Sequence, residues 1–356
     1  MKILELFGGI GACSKALERL GIDYEIADYV EIDKYAVASF NAMHNTNFEP
    51  QDITTWDKDI DVDLIMHGSP CQDFSLAGLQ AGGDEGSGTR SSLMYETLRI
   101  VEKLKPKYVI WENVKNLISK KHIHNFNAYL EKMSGGGYNN YFKVLNAKDY
   151  GIPQNRERIF TISIRKDIDR GFEFPQKQEL KLKLKDMLEE NVDEKYYLSE
   201  KAIIGRLTTN YQKYKLENNL INNKDIYPTI LARYEGASTL YINNATKKGF
   251  LEAYEGDGIN ISSRMKYQRG NVQSQSIQTI DCTGGENKGV VMPDLRIRRL
   301  TPKECWRLMG FDDEDYEKVS QVNSNTQLYK QAGNSIVVNV LEAILKEVIS
   351  WSLKIW

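Results

Sequence analysis

Four side chains carry the chemistry open to this sequence: Cys71, Glu112, Arg156 and Arg158. Cys71 stands in DLIMHGSPCQDFS, Asp63 to Ser75. Leu64 to His67 predict a short buried strand, and Gly68 and Pro70 break it, since Pro cannot donate a ladder bond and Gly tolerates a tight turn. Cys71 is therefore expected on a loop at the carboxyl end of a strand, the edge where open parallel sheets bind ligands. A thiolate there is a nucleophile once its proton is removed or its pKa lowered. A second strand, Tyr108 to Trp111, delivers Glu112 to the same edge and ends in Glu112-Asn113-Val114. Thiol and carboxyl on neighbouring strand ends make a nucleophile and a general acid within reach of one substrate. Arg156 and Arg158, two apart in the extended stretch YGIPQNRERIF, point the same way and suit a base oxygen and a phosphate.

A lone cysteine is ordinarily a small buried hydrophobe, and Cys13, Cys282 and Cys305 keep that reading. The four cysteines form no CxxC pair and no metal spacing, so free thiols in a reducing cytoplasm are expected, without a metal. The 356 residues, 41% hydrophobic and 27% charged, suit a soluble chain of two domains. There is no run of 18 apolar residues to span a membrane. MKILELFGG enters a strand at once and does not read as a signal peptide. A net charge of −2 does not advertise nucleic acid, but its distribution is uneven. Residues 1–63 hold 5 Lys and Arg against 13 Asp and Glu, and residues 264–307 hold 9 against 4. A duplex would avoid the first stretch and could lie against the second.

The elements that must position these groups follow in order. Ile3 to Phe7 reads as a strand, Gly8-Gly9-Ile10-Gly11 as a tight turn, and Ala12 to Leu20 as a helix whose first amides face a ligand. FGGIG is not GxGxxG, so a dinucleotide is a poor guess. Tyr24 to Val30 gives a second strand with Glu31 at its end, where an acid can accept ribose hydroxyls. Glu31 or Asp33 could equally cap a helix from Lys34 to Met43. Asp52 could take an adenine amino proton while Ile53 packs on the ring. Turn, Glu31 and Asp52 together fit a nucleoside without a phosphate chain, such as S-adenosyl-L-methionine. Leu76 to Leu93 is Gly-rich and reads as a closing lid. Met94 to Leu104 is an amphipathic helix, and Tyr141–Asn146 and Ile159–Ile164 are the remaining strands. From Gly171 to about Asp294 the chain turns Asn-, Lys- and Tyr-rich with short strands. A capped helix from Pro302 to Met309 and a terminal helix from Ile336 to about Trp351 complete it.

FGGIG, GSPCQDFS, ENV, QNRER, RRLTPKECWRLMGF and QAGNS occur in this order and spacing. The chain thereby resembles the cytosine-5 DNA methyltransferases of bacteria and phages, closely over residues 1–165 and 296–356. Residues 171–295 fall where that family keeps a variable target-recognition region. The resemblance implies that Cys71 adds to carbon 6 of a flipped cytosine, that Glu112 binds ring nitrogen N3, and that Arg158 holds O2. Arg156 would position the Cys71 loop and a phosphate. It implies a cofactor, S-adenosyl-L-methionine, on Phe7, Gly9, Ile10, Glu31, Ile32, Asp52, Ile53, Pro70, Leu93 and Asn334. Two residues depart from the family pattern: Gln51 stands where many members have Gly, and Ile32 where many have a large aromatic. Candidate DNA contacts are Gln72, Ser75 and Arg90 around the loop, and Arg264, Arg269, Thr279 and Ile280 in the recognition region.

The expected fold is α/β: a doubly wound, mainly parallel, Rossmann-like methyltransferase sheet with a second, smaller DNA-recognition domain. The first domain takes residues 1–170 plus 325–356, and the second 171–324. The expected substrate is one specific double-stranded DNA sequence, bound by a monomer, with a cognate restriction endonuclease as a partner of such enzymes. A tRNA cytosine methyltransferase on the same scaffold carries a Cys-Phe-Thr tripeptide; residues 171–295 offer only Cys282 followed by Thr283. An inert DNA-binding homologue would lose the nucleophile or the acid, and both are present.

Overall fold

β1 (Lys2–Leu6) is buried along nearly its whole length, as a central parallel strand must be. A computed structural model describes residues 1–70, 74, 83–84, 86–199, 202, 239–262, 268–281 and 287–353. After β1 the chain alternates α1 (Ala12–Arg19), β2 (Glu25–Val30), α2 (Lys34–His44), β3 (Leu64–His67), α3 (Met94–Leu104), β4 (Tyr108–Val114) and α4 (Ile123–Gly135). β5 (Tyr138–Asn146), the short β6 (Gln154–Asn155) and β7 (Glu157–Arg165) follow. The six-stranded sheet runs β2-β1-β3-β4-β7-β5, parallel from β2 to β4 and antiparallel at β7 and β5.

Local chemistry sets the element ends. Gly11 enters α1 at φ 76, and a Cβ there would stand 2.6 Å from His44 Nε2 and 2.7 Å from Phe40. Only glycine fits on both counts. Asp33 caps α2, its side chain accepting from Tyr35 N, and Asn45 ends that helix in the left-handed region at φ 52. One apolar layer (Leu4, Leu6, Ile65, Trp111) packs under α3 and α4, and the other (Ile3, Ile110, Ile162) lies on the side of α1 and the C-terminal helix.

Past residue 239 come β8 (Leu240–Asn243), β9 (Phe250–Ala253), β10 (Gly258–Asn260), β11 (Val272–Gln273), β12 (Ile277–Gln278), β13 (Lys288–Val291) and β14 (Ile297–Arg299). A second, antiparallel sheet runs β11-β10-β13-β14 over a small core of Ile259, Val291 and Ile297. β12 leaves it to pair in parallel with β6, which stitches the smaller unit to the larger.

Four helices close the chain: α5 (Pro302–Arg307), α6 (Asp313–Ser320), α7 (Asn325–Asn334) and α8 (Val338–Leu353). α5 starts in a Thr301–Glu304 capping box with Pro302 just inside. The sequence reading placed residues up to 324 in the smaller unit, but α5 and α6 pack on the larger one. Trp306 and Met309 enter its core, and Lys15 of α1 bonds Asp312 and Asp315 at 2.9 and 3.0 Å. α8 lies against α1. α4, α6 and α7 were not anticipated. In α4, Ile123, Phe126, Leu130 and Met133 recur at helical spacing; α6 is too polar and α7 too rich in Gly and Asn for local sequence to announce them.

Candidate active site

The site forms where the carboxyl ends of β3 and β4 meet the start of β7. Glu112, buried on β4, points into a recess lined by Arg156, Arg158, Phe160, Ile336 and Val337. Arg158 Nε lies 3.0 Å from Glu112 Oε1. β4 and β7 pair antiparallel with Val114 opposite Arg158, which brings that arginine back over the carboxylate. Burial pushes the Glu112 carboxyl up; the charges of Arg158 and Arg156 oppose this and do not cancel it, so it holds a proton above the usual range.

The residues before Cys71 run beside this carboxylate. A Cβ on Gly68 would lie 3.6 Å from Ile336 and 4.0 Å from Glu112 Oε2. The buried Ser69 is tied to β4: Trp111 Nε1 donates to its hydroxyl at 2.9 Å, and Asn113 Nδ2 to its carbonyl at 3.3 Å. The turn that leads into Pro70 is thus held on β4, with Gly68 beside Glu112. Cys71, Gln72 and Ser75 lie outside the described residues, as do residues 76–82 and 85 of the expected lid and Arg264.

Arg156 departs from expectation. It is only 3% exposed, and its Nη atoms donate to the carbonyls of Ile280 (2.8 Å), Gly333 (3.1 Å) and Ser335 (2.7 Å). These bonds commit it to joining three segments around the recess, which is at odds with holding a phosphate. Ile280 is also corrected: it is fully buried in the main core, its N–H donating to Gln154 Oε1, so it anchors the smaller unit and meets no groove. Thr279 donates its hydroxyl to Asn155 O at 2.8 Å. Arg269 and Arg90 are exposed. The basic stretch 264–307 does not form a free cationic face among the described residues. Arg298 is fully buried on Glu304, Arg307 pairs with Asp313, and Arg296 with Asp294 and Glu194.

The second pocket opens at the ends of β1 and β2. Phe7 and Gly9 take positive φ (52 and 55), and the space above the Gly9 α-carbon is empty to 4 Å. Tyr29 OH donates to Gly9 O at 2.5 Å. Glu31 accepts from Gly9 N at 3.1 Å and from Asp33 N at 2.8 Å. A carboxylate has about four acceptor positions, so beside the backbone donors of Gly9, Ile32 and Asp33 there is room for a hydroxyl. Of this acidic pair Asp33 is the helix cap, and Glu31 braces the turn at Gly9. Phe7, Ile53 and Leu93 share one apolar cluster. Ile32 is 67% exposed, and Asn334 lies exposed at the end of α7. Ile10 is corrected: its side chain is 2% exposed, in the core on the opposite face of the sheet, so only its backbone can serve a ligand. Asp52 is exposed with Oδ1 accepting from both Thr54 N and Thr54 Oγ1, which leaves Oδ2 for a donor.

Residues given no role on sequence also matter. Asn113 fixes the turn before Cys71, and Gln154 bridges the two units by donating to Leu308 O at 2.8 Å and accepting from Ile280 N at 3.0 Å. Both sit inside motifs that sequence reading took as blocks, ENV and QNRER.

A sequence profile of the C-5 cytosine-specific DNA methylase family matches residues 1–350. The chain is 34% identical to the orphan methyltransferase M.SPRI of Bacillus phage SPR, covering 98% of this chain and 97% of that protein. It is also 34% identical to the type II methyltransferase M2.ScrFI of Lactococcus lactis subsp. cremoris, covering 98% of each. Among solved structures, a mutant of Spodoptera frugiperda DNMT2 superposes with a TM-score of 0.64 at 21% identity, over 98% of this chain and 99% of that one. The S. pombe Dnmt2 methyltransferase gives 0.62 at 19%, over 99% of both. These two likenesses concern the fold.

Proposed function

The chain belongs to the C-5 cytosine-specific DNA methylase family and is a DNA (cytosine-5) methyltransferase; we propose the following roles for its residues, with S-adenosyl-L-methionine as methyl donor. One observation supports the reading above all: the buried Glu112–Arg158 pair beside the Gly68-Ser69-Pro70 turn that leads into Cys71. The target carbon lies inside a duplex, so the cytosine is flipped into the recess, at a cost of a few kcal/mol recovered in pocket contacts. The Cys71 thiolate adds to carbon 6, and the ring electrons move toward N3. Glu112, whose burial favours its protonated form, gives N3 a hydrogen bond and then a proton, which leaves carbon 5 an enamine carbon. Arg158 holds Glu112 in place and faces O2. Arg156 fixes the walls of the recess.

The second pocket fits the donor. The open space over Gly9, the Glu31 carboxylate with acceptor positions left, and the apolar surface of Phe7, Ile53 and Leu93 suit a nucleoside. Bound there, S-adenosyl-L-methionine supplies the electrophilic methyl group that carbon 5 takes. Carbon 5 then loses its proton to a solvent base, the electrons of that bond expel the Cys71 thiolate, and N3 returns its proton to Glu112, which restores the ring and leaves S-adenosylhomocysteine. The smaller unit reads one short sequence, and the enzyme works as a monomer on DNA.

Bisulfite sequencing of DNA from a methylation-free bacterium expressing the chain tests this. Protected cytosines confined to one short motif are expected. Absence of protection, from folded protein that binds the donor, would move the substrate to RNA.

A further inference from the structure

Gln51, the residue that departs from the family's usual Gly, is bonded on three sides. Its N–H donates to Glu31 O at 2.9 Å, and its side-chain amide to Tyr29 O at 2.8 Å and to Asp28 Oδ1 at 2.9 Å. Asp28 is 3% exposed on β2. Its carboxylate also accepts from Trp56 Nε1 at 2.7 Å, Lys58 Nζ at 2.7 Å and Tyr29 N at 2.9 Å. Burial pushes this carboxyl up, but the donors of Lys58, Trp56, Gln51 and Tyr29 outweigh it and hold it below the usual range. From the other side, Arg99 of α3 donates Nη2 to Ile53 O at 3.0 Å and Trp56 O at 2.9 Å. Residues 51–56 are thus gripped between β2 and α3. Within that grip Thr55 N bonds Asp52 O and Trp56 N bonds Ile53 O, so the turn bearing Asp52 and Ile53 has one shape.

We infer that Asp28, with Gln51 and Trp56, is a positioning residue for the nucleoside of the methyl donor: it presets the segment 51–56 so that Asp52 and Ile53 meet the adenine without rearranging. The inference rests on the cofactor pocket proposed above and adds a set of residues, none of which faces the ligand. A preset segment loses no freedom on binding, and the exposed Ile32, in place of a stacking aromatic, leaves the pocket more dependent on it.

The test uses the full chain. Asp28→Asn turns an amide NH2 toward Trp56 Nε1–H and Lys58, donor against donor. Gln51→Gly removes one strut and leaves no buried clash, so it decides the matter should Asp28→Asn fold poorly. S-Adenosylhomocysteine affinity is measured by calorimetry, with KM for the donor, kcat and DNA affinity alongside. The expected result is donor KM and S-adenosylhomocysteine Kd raised about tenfold in Asp28→Asn and less in Gln51→Gly, with kcat and DNA Kd within about twofold. Glu31→Ala is the control for the pocket. If it weakens S-adenosylhomocysteine binding while neither variant does, the positioning role is wrong. Equal losses of cofactor and DNA binding in the variants overturn it as well, since a general fold defect explains them. If Glu31→Ala has no effect, the pocket assignment falls and the inference with it.

Discussion

Arg158 Nε stands 3.0 Å from Glu112 Oε1, inside a recess that both side chains line. The arginine is close enough to orient the carboxyl, and burial raises the carboxyl's proton affinity despite that charge. A raised proton affinity suits a donor to N3 of cytosine.

Glu112→Gln keeps the size and one donor but has no proton to give. Turnover falls about 10²- to 10⁴-fold. The raised carboxyl gives kcat a limb that declines as pH rises through the shifted value, and Glu112→Gln removes that limb. Single-turnover rates across pH check both; an unchanged profile in the variant would take Glu112 out of the chemistry.

Arg156 acts through backbone carbonyls, so charge alone does not replace it. Arg156→Lys has one nitrogen where the guanidinium uses two, so it cannot serve Ile280 on one side and Gly333 and Ser335 on the other together. kcat/KM drops about tenfold or more, with lower thermal stability. Normal turnover in the lysine variant would show that the three carbonyls need no such clamp.

Glu5, buried on β1, accepts from Ser14 N at 3.1 Å and from the Ser14 hydroxyl, which ties the first turn of α1 to the sheet. Burial pushes its carboxyl from 4.5 up to about 7 against those two bonds. The folded state therefore binds more protons than the unfolded one between these values. The stability it contributes is full below pH 4.5 and is lost as pH rises through about 7. The loss is about 3 kcal/mol by linkage. Urea denaturation of Glu5→Gln between pH 4.5 and 8 is expected to lack this slope, and a slope equal to that of the parent protein would refute the assignment.

Much of this was legible in the sequence because short apolar runs announce their strands. DLIMHGSP gives β3, stopped by Gly68 and Pro70, and YVIWENV gives β4, which carries Glu112 and runs on through Asn113 to Val114 where a stop at Trp111 was expected. Ile10 and Ile280 misled for one reason: a residue inside a functional motif can serve by packing, and sequence spacing does not tell which face it takes. Arg156 lines the recess with Glu112, but its partners could not be foreseen, since its three carbonyls come from segments far along the chain. The basic stretch near the C-terminus misled because its partners, Glu304 and Asp313, lie in the same folded unit and consume the charge. Asp28 gave no signal at all; only the return of residues 51–58 onto β2 makes it a hub.

The claim that Cys71 attacks carbon 6 is tested most directly by an oligonucleotide carrying 5-fluorocytosine at the methylated position, incubated with enzyme and methyl donor. Fluorine cannot leave as the proton does, so the adduct is trapped. A complex that survives denaturant, with the crosslinked peptide bearing Cys71 and no complex from Cys71→Ser, is the predicted result. An enzyme that methylates the unfluorinated duplex yet forms no adduct, or a Cys71→Ser variant that still turns over, would contradict it.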